Sequence, residues 1–258
     1  QGLLTFDFDL NPQPSLAKSW TRSADGLTYT FRLEENAKWH DGRPFTSADV
    51  VFSTQVFLTE VHPRARANFA RVDRVETPDA HTVVYTLKEP FGPFLHMFEV
   101  SSAPMVPKHI YEGTDPLANQ NGNAPIGTGP YRFKEWARGS HIVYERNPDY
   151  WQPDLPRVDR LVYKTLPDTG ARSIAFENGS GDLGYRTPVA LADLDRLKKV
   201  PHLVFETKGT SYSYNVSCLQ FNLDSQYFKH LKVRQAVAHA IDREALIKRV
   251  AYGYGTVC

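Results

Sequence analysis

The sequence predicts a mixed α/β protein on three observations. Paired runs of alternating apolar and polar residues occupy the first half, strand-like and helical runs interleave from residue 158, and apolar residues fall at helical spacing near the end. With 258 residues the chain is long enough for two modest domains or one large one, at about 150 residues per domain. Hydrophobic residues make up 41% and charged residues 23%, with 15 Phe, 13 Tyr and 4 Trp, a composition that folds.

The elements follow in order. Asp25-Gly26 is a turn signal, and Leu27, Tyr29, Phe31 and Leu33 alternate with Thr28, Thr30, Arg32 and Glu34, which predicts a β-hairpin from Trp20 with one buried face. His40-Asp41-Gly42 makes the next turn. Thr46 with Asp49 three residues on is a capping box that predicts a helix to about Leu58, ended by His62-Pro63. A second hairpin is expected from Arg71 to Glu76 and His81 to Leu87. A passage holding Pro90, Pro93, Pro104 and Pro107 then marks a boundary between substructures.

Residues 119–130 are irregular by composition, and Gly127-Thr128-Gly129-Pro130 reads as a shaped loop. Strands are expected at Tyr131 to Trp136, Ser140 to Glu145 and Val158 to Leu166. Helices follow at Thr169 to Asn178 and near Ala190 to Lys199, with further strands at His202 to Glu206 and Tyr214 to Asn222. At the end, Val233, Ala236, Val237, Ala240 and Ile241 sit on one helical face. Asp242 caps a second helix, in which Ile241 and Leu246 form a hydrophobic staple.

Charge names no partner: 30 Lys and Arg against 29 Asp and Glu are interspersed, with no basic stripe for nucleic acid or an anionic membrane. Apolar runs fall short of the roughly 20 residues that span a bilayer. Residues 1–10 lack the basic start and apolar middle of a signal peptide, so the signal of an exported protein is not expected within this chain.

Local signatures of chemistry are weak. Gly179-Ser180-Gly181-Asp182-Leu183-Gly184 has the letters of a dinucleotide fingerprint but follows a helix, whereas that fingerprint must follow a strand. The nine histidines and two cysteines form no zinc spacing, so neither metal nor cofactor is expected. Glu34-Glu35 and Asp193/Asp195 read as a strand end and a solvated helix face, not as an acid–base pair. Tyr212, Tyr214, Tyr150 and Trp151 suit either a ligand wall or ordinary packing. Asn178-Gly179-Ser180 and Asn215-Val216-Ser217 are glycosylation sequons only in a eukaryotic secretory setting.

Several blocks taken together resemble one family. Pro14-Ser15-Leu16-Ala17-Lys18-Ser19-Trp20, Asp25 to Leu33, and Lys38-Trp39-His40-Asp41-Gly42-Arg43-Pro44-Phe45-Thr46 through Ser53 are similar to the opening signature of the extracellular solute-binding proteins of family 5. Gly127-Thr128-Gly129-Pro130-Tyr131, Glu145-Arg146-Asn147-Pro148-Asp149-Tyr150-Trp151, Val233-Arg234-Gln235-Ala236 and Ala240-Ile241-Asp242-Arg243 resemble its later blocks in the same order. This family includes the peptide-binding components of ABC importers.

The resemblance implies a periplasmic-binding-protein type II-like lobe with an added α+β subdomain and a second lobe largely missing. Residues 1–107 are then the smaller subdomain, 108–214 the base of the first lobe, and 215–258 the hinge crossing and start of the second. It implies no enzyme but a clamp that closes over a small polar ligand, a di- or oligopeptide above all, and passes it to membrane permease subunits. The protein is then a periplasmic monomer, or one anchored outside a Gram-positive cell. The ligand-binding residues expected from family counterparts are Tyr185, Arg186 and Thr187, with Ser217, Cys218 and Gln220 on the crossing strand. Arg186 suits bidentate pairing to a carboxylate, and an exposed arginine fits the same position. A bridge between Cys218 and Cys258 fits an oxidising compartment. As half of a jaw, the chain is expected to fold at least in its base lobe and to bind ligand weakly or not at all. The competing readings are a hydrolase acting on peptides or glycans through a carboxylate pair and a ligand-sensing domain.

Overall fold

A computed structural model describes residues 1–186, 188–206 and 217–257. These residues form two compact units, 1–165 and 166–258.

The first unit begins with a two-stranded ribbon, β1 (Leu4–Phe6) antiparallel to β2 (Pro12–Pro14). Three-residue strands leave little alternation to read, and the two prolines of β2 are tolerated only where no ladder donor is needed. The expected hairpin is present as β3 (Ala17–Arg22) and β4 (Thr28–Leu33), with Gly26 at φ 72° in the turn. The second hairpin is β5 (Val72–Asp79) and β6 (Thr82–Leu87). All four strands join in one antiparallel sheet of order β3-β4-β6-β5.

Between the hairpins, the helical run starts at the Thr46/Asp49 capping box, with the Asp49 carboxylate accepting the Thr46 N–H at 3.0 Å. It is not one α-helix. α1 (Ser47–Val51) passes through a π-helical turn, Phe52–Phe57, into α2 (Leu58–Val61). The Ser53 and Thr54 hydroxyls donate to the Asp49 and Val50 carbonyls, a competition with the backbone ladder that disturbs regular helix. Nor does His62-Pro63 simply stop the chain. Proline at the first helical position and His62 Nδ1, which accepts the Ala65 N–H at 3.0 Å, start a further helix, α3 (Pro63–Phe69).

The core lies on one face of the four-stranded sheet. Tyr29, Phe31 and Leu33 of β4 and Val83, Tyr85 and Leu87 of β6 point into it, as their alternation requires. The proline-rich passage does more than separate substructures, because its 3₁₀ helix Gly92–Phe98 supplies Phe94, Met97 and Phe98 to this core. Phe98 lies 4.8 Å from Phe31, 5.3 Å from Tyr85 and 5.1 Å from Phe94, in tilted or edge-on contacts. The Tyr85 hydroxyl, fully enclosed, shares a 2.8 Å hydrogen bond with Thr54, and burial holds its pKa far above the ordinary tyrosine value.

Helix α4 (Lys108–Tyr111) is tied back to α1, since the Asp49 carboxylate also accepts the Lys108 N–H at 3.0 Å. The unit closes with an antiparallel sheet of β7 (Tyr131–Ala137), β8 (His141–Arg146) and β9 (Arg160–Lys164), in that order.

In the second unit, α5 (Thr169–Glu177) is capped by Asp168, which accepts the Ala171 N–H at 2.7 Å. α6 (Leu194–Leu197) follows a 3₁₀ turn. The segments 203–206 and 217–222, expected as strands, have no ladder partner among the described residues, and an extended run without one is not a strand. Residues 214–216 of the second expected strand lie outside the described residues. The terminal pair forms as α7 (Leu231–Ala240) and α8 (Arg243–Val250), with Asp242 accepting the Ala245 N–H at 2.9 Å.

Candidate functional site

Of the residues expected to bind ligand, Tyr185 and Arg186 are exposed neighbours in the second unit. The Arg186 guanidinium stands 5.4 Å from the Tyr185 ring centroid, a cation–π contact. Arg186 has φ 61°, the left-handed region that costs a non-glycine residue about 1–2 kcal/mol. Ser217, Cys218 and Gln220 are exposed on an irregular stretch. Thr187 and Cys258 lie outside the described residues, so the Cys218–Cys258 pairing does too, as do Tyr212, Tyr214 and Asn215.

Of the carboxylates singled out in the sequence, Glu35, Asp193 and Asp195 are engaged by neighbouring donors. Glu35 pairs with Lys18 at 2.6 Å, and that hydrogen bond and charge lower its pKa. Asp193 pairs with Arg196 at 3.4 Å, and the Arg196 guanidinium also holds Glu177. A Ser173 hydrogen bond, then Arg196, lowers the Asp193 pKa. Asp195 accepts the Tyr254 hydroxyl at 3.0 Å. Among the described residues no three His, Cys, Asp or Glu side chains converge as a metal site, and no helix is long and apolar enough to cross a membrane.

In the first unit, three sequence blocks that look like separate turns meet. The His40 N–H donates to the Gly127 carbonyl at 2.9 Å, the Gly127 N–H donates to His40 Nδ1 at 3.1 Å, and His40 Nε2 bonds the Gly129 carbonyl at 3.0 Å. Asn147, 3% exposed, donates from Nδ2 to the same Gly129 carbonyl at 3.1 Å, and its N–H donates to the Pro130 carbonyl at 2.8 Å. Its Oδ1 accepts from Arg132 Nε at 2.9 Å and from the Asp149 N–H at 3.1 Å, while Arg132 also grips Asp149 at 2.6 Å. Tyr150 and Trp151 serve here as clamps on the first residue. The Tyr150 hydroxyl accepts from Gln1 Nε2 at 2.9 Å, and Trp151 Nε1 donates to Gln1 Oε1 at 3.2 Å.

The role of His40 escaped the sequence reading because its partners are 87 and 89 residues away. The usable signals were the shaped loop at 127–130 and the Asn147-Pro148-Asp149 turn, neither of which says what fills the loop.

The family model of bacterial extracellular solute-binding proteins, family 5, middle region, matches residues 11–257. The chain belongs to this family, as its motif blocks indicate. The glutathione-binding protein GsiB of Pectobacterium atrosepticum is 32% identical over 258 residues, covering 99% of this chain and 48% of that protein. The oligopeptide-binding protein AppA of Bacillus subtilis is 33% identical over 258 residues, covering 97% of this chain and 46% of that protein. The solved structure of B. subtilis AppA in complex with a nonapeptide superposes with a TM-score of 0.81 at 30% identity, covering 100% of this chain and 51% of that one. The structure of NikZ from Campylobacter jejuni in complex with Ni(L-His) gives 0.79 at 31%, covering 100% and 50%. The mixed α/β architecture is thus that of periplasmic binding proteins, and the chain spans about half the length of the curated relatives it matches.

Proposed function

We propose that these residues are the first half of the ligand-capturing component of an ABC importer, a two-lobed clamp that shuts on a small polar solute and leaves it chemically unchanged. The observation that carries this reading is the match of residues 11–257 to the family, together with likeness over the whole chain to binding proteins solved with ligand. Residues 1–107 and 108–214 are the two parts of the first lobe, and the second begins after about 215. The cargo is a di- or oligopeptide, supported by relatives named for binding oligopeptide and glutathione. The working protein is a monomer outside the cytoplasmic membrane, delivering to permease subunits.

Arg186 and Tyr185 offer a planar cation and an aromatic face to a carboxylate-bearing ligand. Ser217, Cys218 and Gln220 supply small polar contacts from the crossing segment, and Thr187 completes the first set. Swinging such a clamp from 1:99 open to 99:1 closed takes about 5.5 kcal/mol of differential binding, which a few charge-assisted hydrogen bonds to an enclosed ligand provide. No group has to be consumed or regenerated.

Native mass spectrometry of the full-length protein tests this reading. The expected result is a non-covalent peptide-sized adduct, released on denaturation and recovered with unchanged mass after prolonged incubation. Turnover of a peptide or glycan by the purified protein contradicts it.

A further inference from the structure

The His40 ring sits between two backbone groups of opposite character. The Gly127 N–H points at Nδ1 from 3.1 Å, so Nδ1 carries no proton. The Gly129 carbonyl can only accept, so Nε2, at 3.0 Å, carries one. The contacts therefore select a single species, the neutral ring protonated at Nε2.

This ring joins two parts of the first unit. On one side is the turn beginning at Trp39, 1% exposed and part of the main core, whose N–H donates to the Arg43 carbonyl at 2.8 Å. On the other, the 127–130 loop is moored to the β7–β8 sheet through Asn147 and Arg132. We propose that His40 is a pH-sensitive joint between the four-stranded and three-stranded sheets, closed while its ring is neutral and released when Nδ1 takes a proton. A proton there sets two donors, Nδ1–H and the Gly127 N–H, against each other across the present hydrogen bond.

The surroundings favour the neutral ring. Burial disfavours the cation most, and it outweighs the Gly129 hydrogen bond, which acts the other way; Arg132 of β7 and the Gln1 amine add repulsion. Asp41 attracts a cation, but its carboxylate is occupied by His109 of α4 at 2.7 Å. Asp149 is likewise taken by Arg132 at 2.6 Å. The His40 pKa consequently lies below the ordinary 6.5. Since the opened joint titrates near 6.5 and the closed joint lower, closure is fully favoured above 6.5 and weakens as pH falls toward the closed-state value.

The test uses the full-length protein with ¹⁵N-labelled histidine. Long-range ¹H–¹⁵N spectra should show the Nε2–H tautomer at about pH 7.5 and a midpoint below 6.5. The hydrogen-exchange protection factor of the Gly127 amide should fall as pH drops below the ordinary histidine pKa and level off below the closed-state value, while amides of β4 and β6 hold theirs. His40→Gln presents a similar donor and acceptor without a titrating group, and should abolish that pH dependence. If the variant does not fold, the wild-type tautomer and titration decide. An Nδ1–H tautomer, a midpoint at or above 6.5, or a Gly127 protection factor indifferent to pH overturns the proposal.

Discussion

The two units bury their apolar residues to very different degrees. In the first, Trp39, Tyr29, Phe31, Tyr85, Phe94 and Phe98 are all essentially sealed from solvent by one another and by the four-stranded sheet. In the second, the buried apolar side chains among the described residues are Val189 and Leu197, and α7 and α8 bury none. Leu183 and Val204 are 89% and 92% exposed. Helices of ten and eight residues are shorter than the roughly 12–15 that hold alone in water. Caps and amphipathic spacing therefore shape the second unit, whereas burial shapes the first. The apolar side chains Leu231, Val233, Leu246 and Val250 of α7 and α8 are exposed.

Substitutions can break or sharpen this contrast. Phe98→Ala removes a ring from the centre of the aromatic cluster and should cost about 3–5 kcal/mol in urea unfolding of the first unit. Leu246→Ala, on a side chain of α8 that is 51% exposed, should stay within about 0.5 kcal/mol. Equal costs break the comparison.

Next in size is Asp49→Ala, which strips an acceptor from both the Thr46 and Lys108 N–H groups. A loss of about 1–3 kcal/mol is expected in the first unit's unfolding free energy. Asp242→Ala removes a comparable cap from α8 but should register only as faster hydrogen exchange in 243–250, with the first unit's midpoint unmoved.

The smallest effect belongs to the exposed turn after β1. Asp7 accepts from the Asn11 and Asp9 N–H groups and from the Asn11 and Gln13 side chains. The Asn11 N–H is the strongest influence, and together these bonds outweigh the opposing effect of desolvation to hold the pKa below the ordinary 3.8. The stabilisation is present above 3.8 and lost as pH falls through the lower folded value. Urea midpoints at about pH 5 and about pH 2.5 should converge between wild type and Asp7→Asn at the acid end.

Much of the fold was readable from short-range pattern. Alternation in 27–33 marked β4, Asp25-Gly26 its turn, Thr46 with Asp49 the start of α1, and Asp242 the start of α8. These features concern residues within four positions of each other, where propensity and hydrogen-bond reach act directly. The π-helical turn, the restart at Pro63 and the core role of Gly92–Phe98 were not readable, because each depends on what packs or bonds from a distance. Of the candidate site, the family blocks and the shaped loop were visible, but not the ring that joins them.

Local chemistry therefore specified which segments turn, which alternate and which cap, since those preferences travel with the residues themselves. Whether His40 is a surface turn residue or the joint between two sheets was settled by folding alone. Its imidazole is held in one protonation state only when Gly127 and Gly129, 87 and 89 residues away along the chain, are brought to within hydrogen-bond reach.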